Sequence, residues 1–327
     1  MPSPDGLDEF DLIARLFRPL TRGVPGALNL QDDVALVDVP RGKQLVVTKD
    51  AIVAGVHFLP DDPPDLIARK LVRVNLSDLA AKGAEPAGLL LATAFPRSVN
   101  TAWLEAFARG LAQDVEEFGV PVLGGDTVAT PGPATFSLTA LGLVKKGRVP
   151  LRSAAQLDDR IWVSGTIGDA ALGLYVALGK VSGYPGLLDR YRLPQPRLEA
   201  GQALARQVHA AMDISDGLVG DLGHICEASG VGAVIQAERV PLSDEARAAI
   251  AAGVGEGLGT CLTGGDDYEL LFTAPSSADR RIASLSRRLG LRLSPIGRII
   301  PGSGVRVEGA DGEPFRLPGS GYRHFGP

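Results

Sequence analysis

Aspartates recur beside glycines and short apolar runs in this sequence, and their chemistry is the first feature to explain. The segment 212–224 reads MDISDGLVGDLGH and places Asp213, Asp216 and Asp221 among apolar residues. Carboxylates are seldom buried unless another group pairs with them. The aspartates of this segment therefore either face water or hold a cation.

Other aspartates fall where a predicted strand ends or a Gly-rich turn begins. Asp33 lies in LQDDVALV, Asp50 closes LVVTKD, Asp126 follows VLGG and Asp266 follows LTGG. Asp78 lies on a predicted helix, on the face of the asparagine one turn before it. A single Gly–Asp pair is usually a turn, and an Asp before a helix is often only a cap. Those explanations account less well for acidic residues at so many element ends.

Converging carboxylates would require a cation. Neighbouring anions repel one another and their pKa values rise unless a positive charge compensates. Hard oxygen ligands without His or Cys select Mg²⁺, Mn²⁺ or Ca²⁺ rather than Zn²⁺. The calcium-loop pattern D-x-[DN]-x-[DN]-G is absent from the sequence. Because Mg²⁺ commonly shares its coordination sphere with phosphates, the pattern favours polyphosphate chemistry.

The usual phosphate-binding signatures are missing. The sequence contains neither GxxxxGK[ST] nor a protein-kinase catalytic loop. VSGTIGDAALG (163–173) is a Gly-rich strand-to-helix turn but not GxGxxG, and a tight turn is its favoured interpretation. As a phosphate cradle it would use backbone N–H groups at the helix start.

Length and composition limit the class of protein. A chain of 327 residues favours two domains, and 45% hydrophobic with 22% charged residues is typical of a globular protein. A net charge of -5 argues against a nucleic-acid-binding protein. The two cysteines lack zinc spacing and indicate a reducing cytoplasm. We find neither a signal peptide nor an apolar run of membrane-spanning length, so no membrane association is expected.

Strands and helices alternate at similar density in both halves. The first half predicts strands at 43–53, 88–95, 120–126 and 134–144, and helices at 64–84 and 101–119. The second half predicts strands at 160–165, 232–236, 268–274 and 293–300, and helices at 169–179, 197–207, 217–230 and 276–290. Basic, Pro-containing 145–159 is predicted to connect two domains.

The ordered motifs carry a family resemblance. They are DDVALV, TKDAIVAGVHF, VNLSDLAAKGAEP, LGGDT, LRSAA, MDISDGLVGDLGHI, LTGGDDYELLF and the C-terminal GYRHF. In this order, and over nearly the whole chain, the sequence resembles the thiamine-monophosphate kinases. These belong to the family shared with aminoimidazole ribonucleotide synthetase and selenophosphate synthetase.

The resemblance implies an α+β (mixed α/β) fold of two domains. Residues 1–148 would form an N-terminal domain that binds ATP and Mg²⁺, with a mixed sheet and helices that pair across a homodimer. Residues 149–327 would form an α/β sandwich that completes the phosphate and substrate site. The implied reaction moves the γ-phosphoryl group of ATP directly onto thiamine monophosphate, with several Mg²⁺ ions and no phosphoenzyme.

The resemblance also implies roles for individual residues. The metal-binding set would be Asp33, Thr48, Asp50, Asp78, Asp126, Asp213 and Asp216. ATP would contact Gly125, Asp126, Arg152 and Ser215. Thiamine monophosphate would contact His57, Asp266 and Tyr322. No general base is assigned because the attacking group is already a phosphate oxygen anion, and Asp221 and His224 are interpreted as structural.

Three positions depart from the family pattern, and two other functions stay open. Lys49 stands where a small hydroxyl residue is usual, Gln31 where Gly is usual and Asp266 where many relatives have Glu. On an alternating strand, Lys49 either enters the metal cluster or faces outward. The alternatives are another ATP-dependent member of the superfamily with a different substrate, and a metal-stabilised nucleotide-binding protein without turnover.

Overall fold

The computed structural model describes residues 9–319 and Gly321 of the chain. The polypeptide forms two compact units. The first runs to Leu79 and resumes at Glu85–Lys146, and the second joins Ala80–Ala84 to the chain from Gly147 onward. The predicted mixed α+β fold of two domains is confirmed.

The first unit is built on a four-stranded mixed sheet. Its elements are α1 (Glu9–Leu12), β1 (Lys43–Val53), α2 (Pro64–Ala81), β2 (Glu85–Pro96), α3 (Thr101–Glu117), β3 (Val122–Thr130) and β4 (Thr135–Lys145). The strand order is β1-β4-β2-β3, so β1 and β3 are the two edges. Strand β4 is antiparallel to both of its neighbours, whereas β2 and β3 run parallel.

One face of this sheet is covered by aromatic and aliphatic side chains. Strand β4 alternates in sequence, and its Phe136 and Leu138 are fully buried. The ring of Phe136 lies 4.7 Å from that of Phe107 on α3 and 5.4 Å from that of Phe95 on β2. Helix α3 starts cleanly because the Asn100 side chain accepts the Trp103 amide at 2.9 Å.

A buried ion pair joins α2 to α3. Arg73 Nε and Arg69 Nε each lie 2.7 Å from a carboxylate oxygen of Asp114, whose side chain is fully buried. Burial raises the pKa of Asp114, and hydrogen bonds from the two arginines oppose that rise. Removing either partner would leave a buried charge uncompensated, so the pair fixes which face of α2 meets the sheet.

Within the described residues, the second unit contains a six-stranded sheet and seven α-helices. The strands are β5 (Arg160–Ser164), β6 (Ala211–Asp213), β7 (Gly232–Gln236), β8 (Leu270–Ala274), β9 (Leu293–Ile300) and β10 (Gly304–Glu308). The helices are α4 (Asp169–Ala177), α5 (Pro185–Arg192), α6 (Leu198–Leu204), α7 (Leu218–Ser229), α8 (Asp244–Ala251), α9 (Leu258–Thr263) and α10 (Asp279–Leu289). The order is β10-β7-β9-β5-β8-β6, with only β10 and β7 pairing in parallel.

Both faces of this second sheet are buried. Along β5, Ile161 and Val163 pack into one apolar cluster with α7, whereas Trp162 packs into another with α6 and α10. A strand covered on both faces is nearly continuously apolar in sequence, as in β5 (RIWVS) and β8 (LLFTA). The result is a helix–sheet–helix sandwich.

Four helices were not predicted: the four-residue α1 of the first unit, and α5, α8 and α9 of the second. Helix α5 begins at Pro185–Gly186, so its start reads as a turn. Helix α8 has eight residues with little apolar periodicity, and α9 has six residues between glycines.

Within the described residues, no helix is both long and apolar enough to cross a membrane.

Candidate active site

One candidate group lies where β1 meets α2 in the first unit. Strand alternation puts Thr48 and Asp50 on the same face of β1, and both side chains are half-buried. Asp78 on α2 is half-buried in an otherwise buried stretch of that helix. The Thr48 hydroxyl lies 2.5 Å from Asp78 Oδ2.

Asn75 ties the backbone of Asp50 to the same helix. Its Oδ1 accepts the Asp50 amide at 3.0 Å, and its Nδ2 donates to the Leu71 carbonyl at 2.9 Å. Strand β1 is an edge strand, so a side chain from α2 supplies an acceptor that no neighbouring strand offers there. The spacing of Asn75 and Asp78 indicated a shared helical face, but not the role of Asn75.

Lys49 faces away from this group. It lies on the opposite face of β1 from Thr48 and Asp50, and its side chain is exposed. Its ammonium group therefore lies on the opposite side of the strand from Asp50 and Thr48. Asp33 lies in an exposed irregular segment with Gln31, and the structure assigns neither residue to the group on β1 and α2.

Gly125 and Asp126 lie at the other edge of the sheet. Asp126 pairs with Ala92 of β2, and the register carries its side chain to the face that also exposes Lys49. Three strand spacings, roughly 14 Å, separate β1 from β3. Within one copy of the first unit, the sheet therefore does not bring Asp126 to Asp50 and Asp78. Asp126 Oδ1 instead accepts the Thr127 amide at 2.9 Å.

The interpretation of Asp50 and Asp126 as strand ends was wrong, although the strand predicted at 43–53 already included the residues after Asp50 and is confirmed. Strand β1 continues past Asp50 to Val53, and β3 continues past Asp126 to Thr130. A polar residue after an apolar run was interpreted as the end of the strand. On these two edge strands, side chains supply hydrogen-bond acceptors for backbone amides: Asn75 for that of Asp50, and Asp126 for that of Thr127.

His57 lies in the turn after β1. Its Nδ1 accepts the Val53 amide at 3.1 Å, so the ring proton of neutral His57 is on Nε2. The His57 carbonyl accepts a hydrogen bond from the buried Lys70 ammonium group at 2.9 Å. These bonds fix a half-buried ring, which suits either a structural role or a substrate contact.

A second candidate group lies in the turn between β6 and α7 of the second unit. Asp213 ends β6 and is buried, while Ser215 and Asp216 are half-buried in the turn. Gly217 precedes α7 with a φ of 112°, a conformation that other residues rarely adopt. The interpretation of MDISDGLVGDLGH as strand end, acidic turn and helix is confirmed.

Asp221 lies beneath this turn. Its Oδ2 accepts the amides of both Ser215 and Asp216, each at 3.0 Å. Burial raises the pKa of Asp221 to about 7, helped by the negative charge of Asp216 and opposed by those two hydrogen bonds and by Arg152. Arg152 itself is exposed, in the short helix Arg152–Ala154. Asp216, Asp221 and His224 also have ligand atoms within 4.8 Å of one another.

A second loop lies alongside the turn. The Asp266 amide donates to the Ser215 carbonyl and the Tyr268 amide to the Ile214 carbonyl, both at 2.8 Å. Asp266 and Tyr268 have φ values of 73° and 51°, which is unusual outside glycine. The Tyr268 hydroxyl lies 3.4 Å from Asp266 Oδ1. These contacts fix Asp266 beside Ser215, whereas Tyr322 lies outside the described residues.

The Gly-rich turn before α4 is filled from within the protein. Gly168 N and Ala170 N donate to the carboxylate of Asp267 at 2.7 and 3.3 Å. Asp267 is fully buried, and burial raises its pKa well above the ordinary value. The helix start is therefore already occupied, which supports the tight-turn interpretation over a phosphate cradle.

Comparison with known proteins gives the family. The family model for the AIR synthase related protein N-terminal domain matches residues 31–144, and that for the C-terminal domain matches 156–310. A relative from Caulobacter vibrioides named thiamine-monophosphate kinase is 46% identical, over 94% of this chain and 89% of its own length. The chain belongs to the thiamine-monophosphate kinase family.

Solved structures of the thiamine-monophosphate kinase family share the fold. The thiamine-monophosphate kinase from Stenotrophomonas maltophilia K279a has a TM-score of 0.84 and 40% identity, covering 94% of this chain and 98% of its own. AaThiL complexed with AMPPCP and TMP has a TM-score of 0.77 and 31% identity, covering 99% of each chain.

Proposed function

We propose that this chain is a kinase that transfers the γ-phosphoryl group of ATP to thiamine monophosphate, giving thiamine diphosphate and ADP. The observation that carries the proposal is 46% identity, over 94% of the chain, to a relative named thiamine-monophosphate kinase. The family member complexed with AMPPCP and TMP supports ATP as donor and thiamine monophosphate as acceptor.

The oxygen donors on β1 and α2 fit Mg²⁺. Thr48, Asp50 and Asp78 offer one hydroxyl and two carboxylates with no nitrogen or sulfur ligand, which is the donor chemistry that Mg²⁺ prefers. Bound Mg²⁺ would neutralise the charge of the polyphosphate. Asp33, Asp126, Asp213 and Asp216 complete the proposed metal-binding set, which holds several ions.

The chain's own residues then orient the two phosphates for in-line transfer. The attacking oxygen of thiamine monophosphate is already an anion, so no residue needs to remove a proton. Phosphoryl transfer passes through a loose transition state, and catalysis consists mainly of positioning and charge neutralisation. In the proposal, Arg152 provides a planar fork of N–H donors for phosphate oxygens, and Ser215 and Gly125 contact ATP.

The substrate contacts are proposed on separate grounds. His57 is held with Nε2 protonated and can donate to a phosphate or an acceptor of the substrate. Asp266 lies beside Ser215, so a substrate bound at Asp266 would lie close to a residue proposed to contact ATP. Tyr322 would stack on a thiamine ring.

We also propose a homodimer in which the first units pair. The face of the sheet opposite to the aromatic cluster exposes Leu45, Val47, Leu90 and Val128, and apolar side chains of this kind favour association. A site shared between subunits would also explain why Gly125 and Asp126 lie on a different edge and face from Thr48 and Asp50. In this arrangement, residues 1–148 hold ATP and Mg²⁺ and make the dimer, and residues 149–327 contribute phosphate and substrate contacts.

A cytoplasmic location is the remaining part of the proposal. Both cysteines, Cys226 and Cys261, are free and buried, as expected for a reducing compartment.

The decisive experiment is ³¹P NMR of the purified protein with ATP, Mg²⁺ and thiamine monophosphate. We expect the β-phosphoryl signal of thiamine diphosphate to grow together with ADP, and only in the complete mixture. Unchanged ATP in a folded protein that is stabilised by ATP and Mg²⁺ would contradict the proposal.

Mixing inactive variants tests the shared site. If the partner subunit's Asp126 completes a site, Asp50→Asn and Asp126→Asn homodimers should be inactive. Subunit exchange should restore part of the activity, because a heterodimer contains one intact site. No recovery after demonstrated exchange would place Asp126 in its own subunit's site or outside the site altogether.

A further inference from the structure

The backbone amides of the turn that carries Ser215 and Asp216 already donate hydrogen bonds within the protein. A helix that starts after a Gly-rich turn commonly binds phosphate through its first N–H groups. Here the amides of Ser215 and Asp216 both donate to Asp221 Oδ2 at 3.0 Å. Asp221 lies in the first turn of α7, and 1% of its surface is exposed.

The turn before α4 uses the same arrangement. There, the carboxylate of Asp267 accepts the amides of Gly168 and Ala170. In each case a buried carboxylate replaces the anion that the N–H groups would otherwise attract. In both strand-to-helix turns, the backbone N–H groups therefore bind a carboxylate of the chain itself rather than an external anion.

We propose that Asp221 is a positioning residue: by holding the Ser215 and Asp216 amides, it fixes the turn that presents the Ser215 hydroxyl and the Asp216 carboxylate. This inference rests on the proposed function of the turn in binding ATP and Mg²⁺. A residue that orients a metal ligand commonly changes metal affinity without touching the metal.

Two substitutions at position 221 distinguish whether Asp221 holds the turn by accepting hydrogen bonds or by its negative charge. Asparagine at position 221 keeps a carbonyl oxygen that can accept both amides, whereas alanine keeps none. Asp159 gives a matched control in the same unit. It is 2% exposed, and its Oδ2 accepts the Gln156 amide and the Thr273 hydroxyl, each at 3.0 Å. Its carboxylate also lies 2.9 Å from His209 Nδ1.

The experiment compares Asp221→Asn, Asp221→Ala and Asp159→Ala with the wild type. Hydrogen exchange of peptides covering 213–217 is measured with each protein. The Mg²⁺ concentration giving half-maximal activity is measured in parallel, together with that giving half-maximal thermal stabilisation in the presence of ATP.

Asp221→Ala should exchange faster at 213–217 and need about tenfold more Mg²⁺. Asp221→Asn should stay within about threefold of the wild type, since it needs only the acceptor and outer-shell effects are typically larger. Asp159→Ala should change neither readout. Equal behaviour of Asp221→Ala and Asp159→Ala, or of Asp221→Asn and Asp221→Ala, would overturn the proposal.

Two outcomes need no folded alanine variant. Fast exchange of the Ser215 and Asp216 amides in the wild type would by itself overturn the hydrogen-bonded support. If the wild type forms no thiamine diphosphate, the proposed function fails. The exchange rates and the stabilisation by Mg²⁺ and ATP still decide the role of Asp221.

Discussion

The two acidic groups of this protein are supported in different ways. On β1 and α2, strand alternation and helix packing bring Thr48 near Asp78, and the neutral amide of Asn75 holds the backbone of Asp50. On the turn after β6, a buried carboxylate holds the amides of Ser215 and Asp216. Similar oxygen ligands can thus be fixed by a neutral acceptor or by a titratable one.

The difference has a physical consequence. An amide acceptor has the same charge at every accessible pH, so the support of Asp50 does not titrate. The pKa of Asp221 is raised to about 7 by burial and by Asp216, so its support changes charge near neutral pH. We therefore expect removal of one carboxylate from either group to lower activity in the same way. We expect the stability that the two groups contribute to depend differently on pH.

The largest effect should come from removing one carboxylate in each group. Asp50→Asn and Asp216→Asn should each lower kcat by roughly a hundred- to a thousandfold with the fold retained, because in the proposed function each carboxylate would hold Mg²⁺, which neutralises the charge of the transferring phosphoryl group. Steady-state kinetics and circular dichroism check this, with Asp61→Asn in an exposed loop as the control. Near-normal turnover in either variant would remove that group from the site.

The pH dependence of stability should separate the groups. The pKa of Asp221 is about 7 in the folded state and near 3.8 when unfolded. Between these values the folded state holds a proton that the unfolded state has lost, so stability falls as pH rises from about 4 to 7. The wild type should therefore lose a few kcal/mol relative to Asp221→Asn between pH 5 and pH 8.

Urea unfolding without divalent metal measures that difference. Asn75→Ala is the comparison, because its loss of stability relative to the wild type should be the same at pH 5 and pH 8. Parallel behaviour of Asp221→Asn and Asn75→Ala would mean that Asp221 does not titrate in this range.

A smaller effect is expected at His57. His57→Ala should raise the KM for thiamine monophosphate by roughly tenfold and that for ATP much less, as expected when one charged or polar contact of about 1.4 kcal/mol is lost. His57→Asn can keep the acceptor for the Val53 amide, so it reports whether stability or substrate contact is responsible. Equal increases in the KM for thiamine monophosphate and in the KM for ATP would mean that His57 does not contact thiamine monophosphate.

The smallest effect should come from Lys49. The Lys49 side chain lies on the opposite face of β1 from Thr48 and Asp50. Lys49→Ala should therefore change the Mg²⁺ concentration that gives half-maximal activity by less than about twofold relative to the wild type. Loss of a residue that orients a metal ligand typically changes metal affinity by about tenfold or more. A titration of activity with Mg²⁺ tests this. A larger shift would mean that the ammonium group reaches the metal ions after all.

The local patterns predicted most long elements and the ends of some, such as β1 and β9, but not the ends of others, such as β3. Apolar periodicity indicated α2, α3 and α7, and alternation indicated β1 and β4. Helices α8 and α9 were missed because they are short and stabilised by burial rather than by periodicity. Asp50 and Asp126 looked like strand ends, although hydrogen bonds continue the strands on either side of them.

The sequence by itself determined the family, the two-domain α+β fold and the acidic residues that the motifs share. These follow from residue types at fixed spacing, which a chain displays without being folded. Only the tertiary structure decided that Thr48 contacts Asp78 and that Asn75 holds the backbone of Asp50. It also decided that Lys49 and Asp126 face the other side of the sheet and that Asp221 holds the turn. Those relations depend on strand order, register and burial, which join residues far apart in the chain and leave no mark in local spacing.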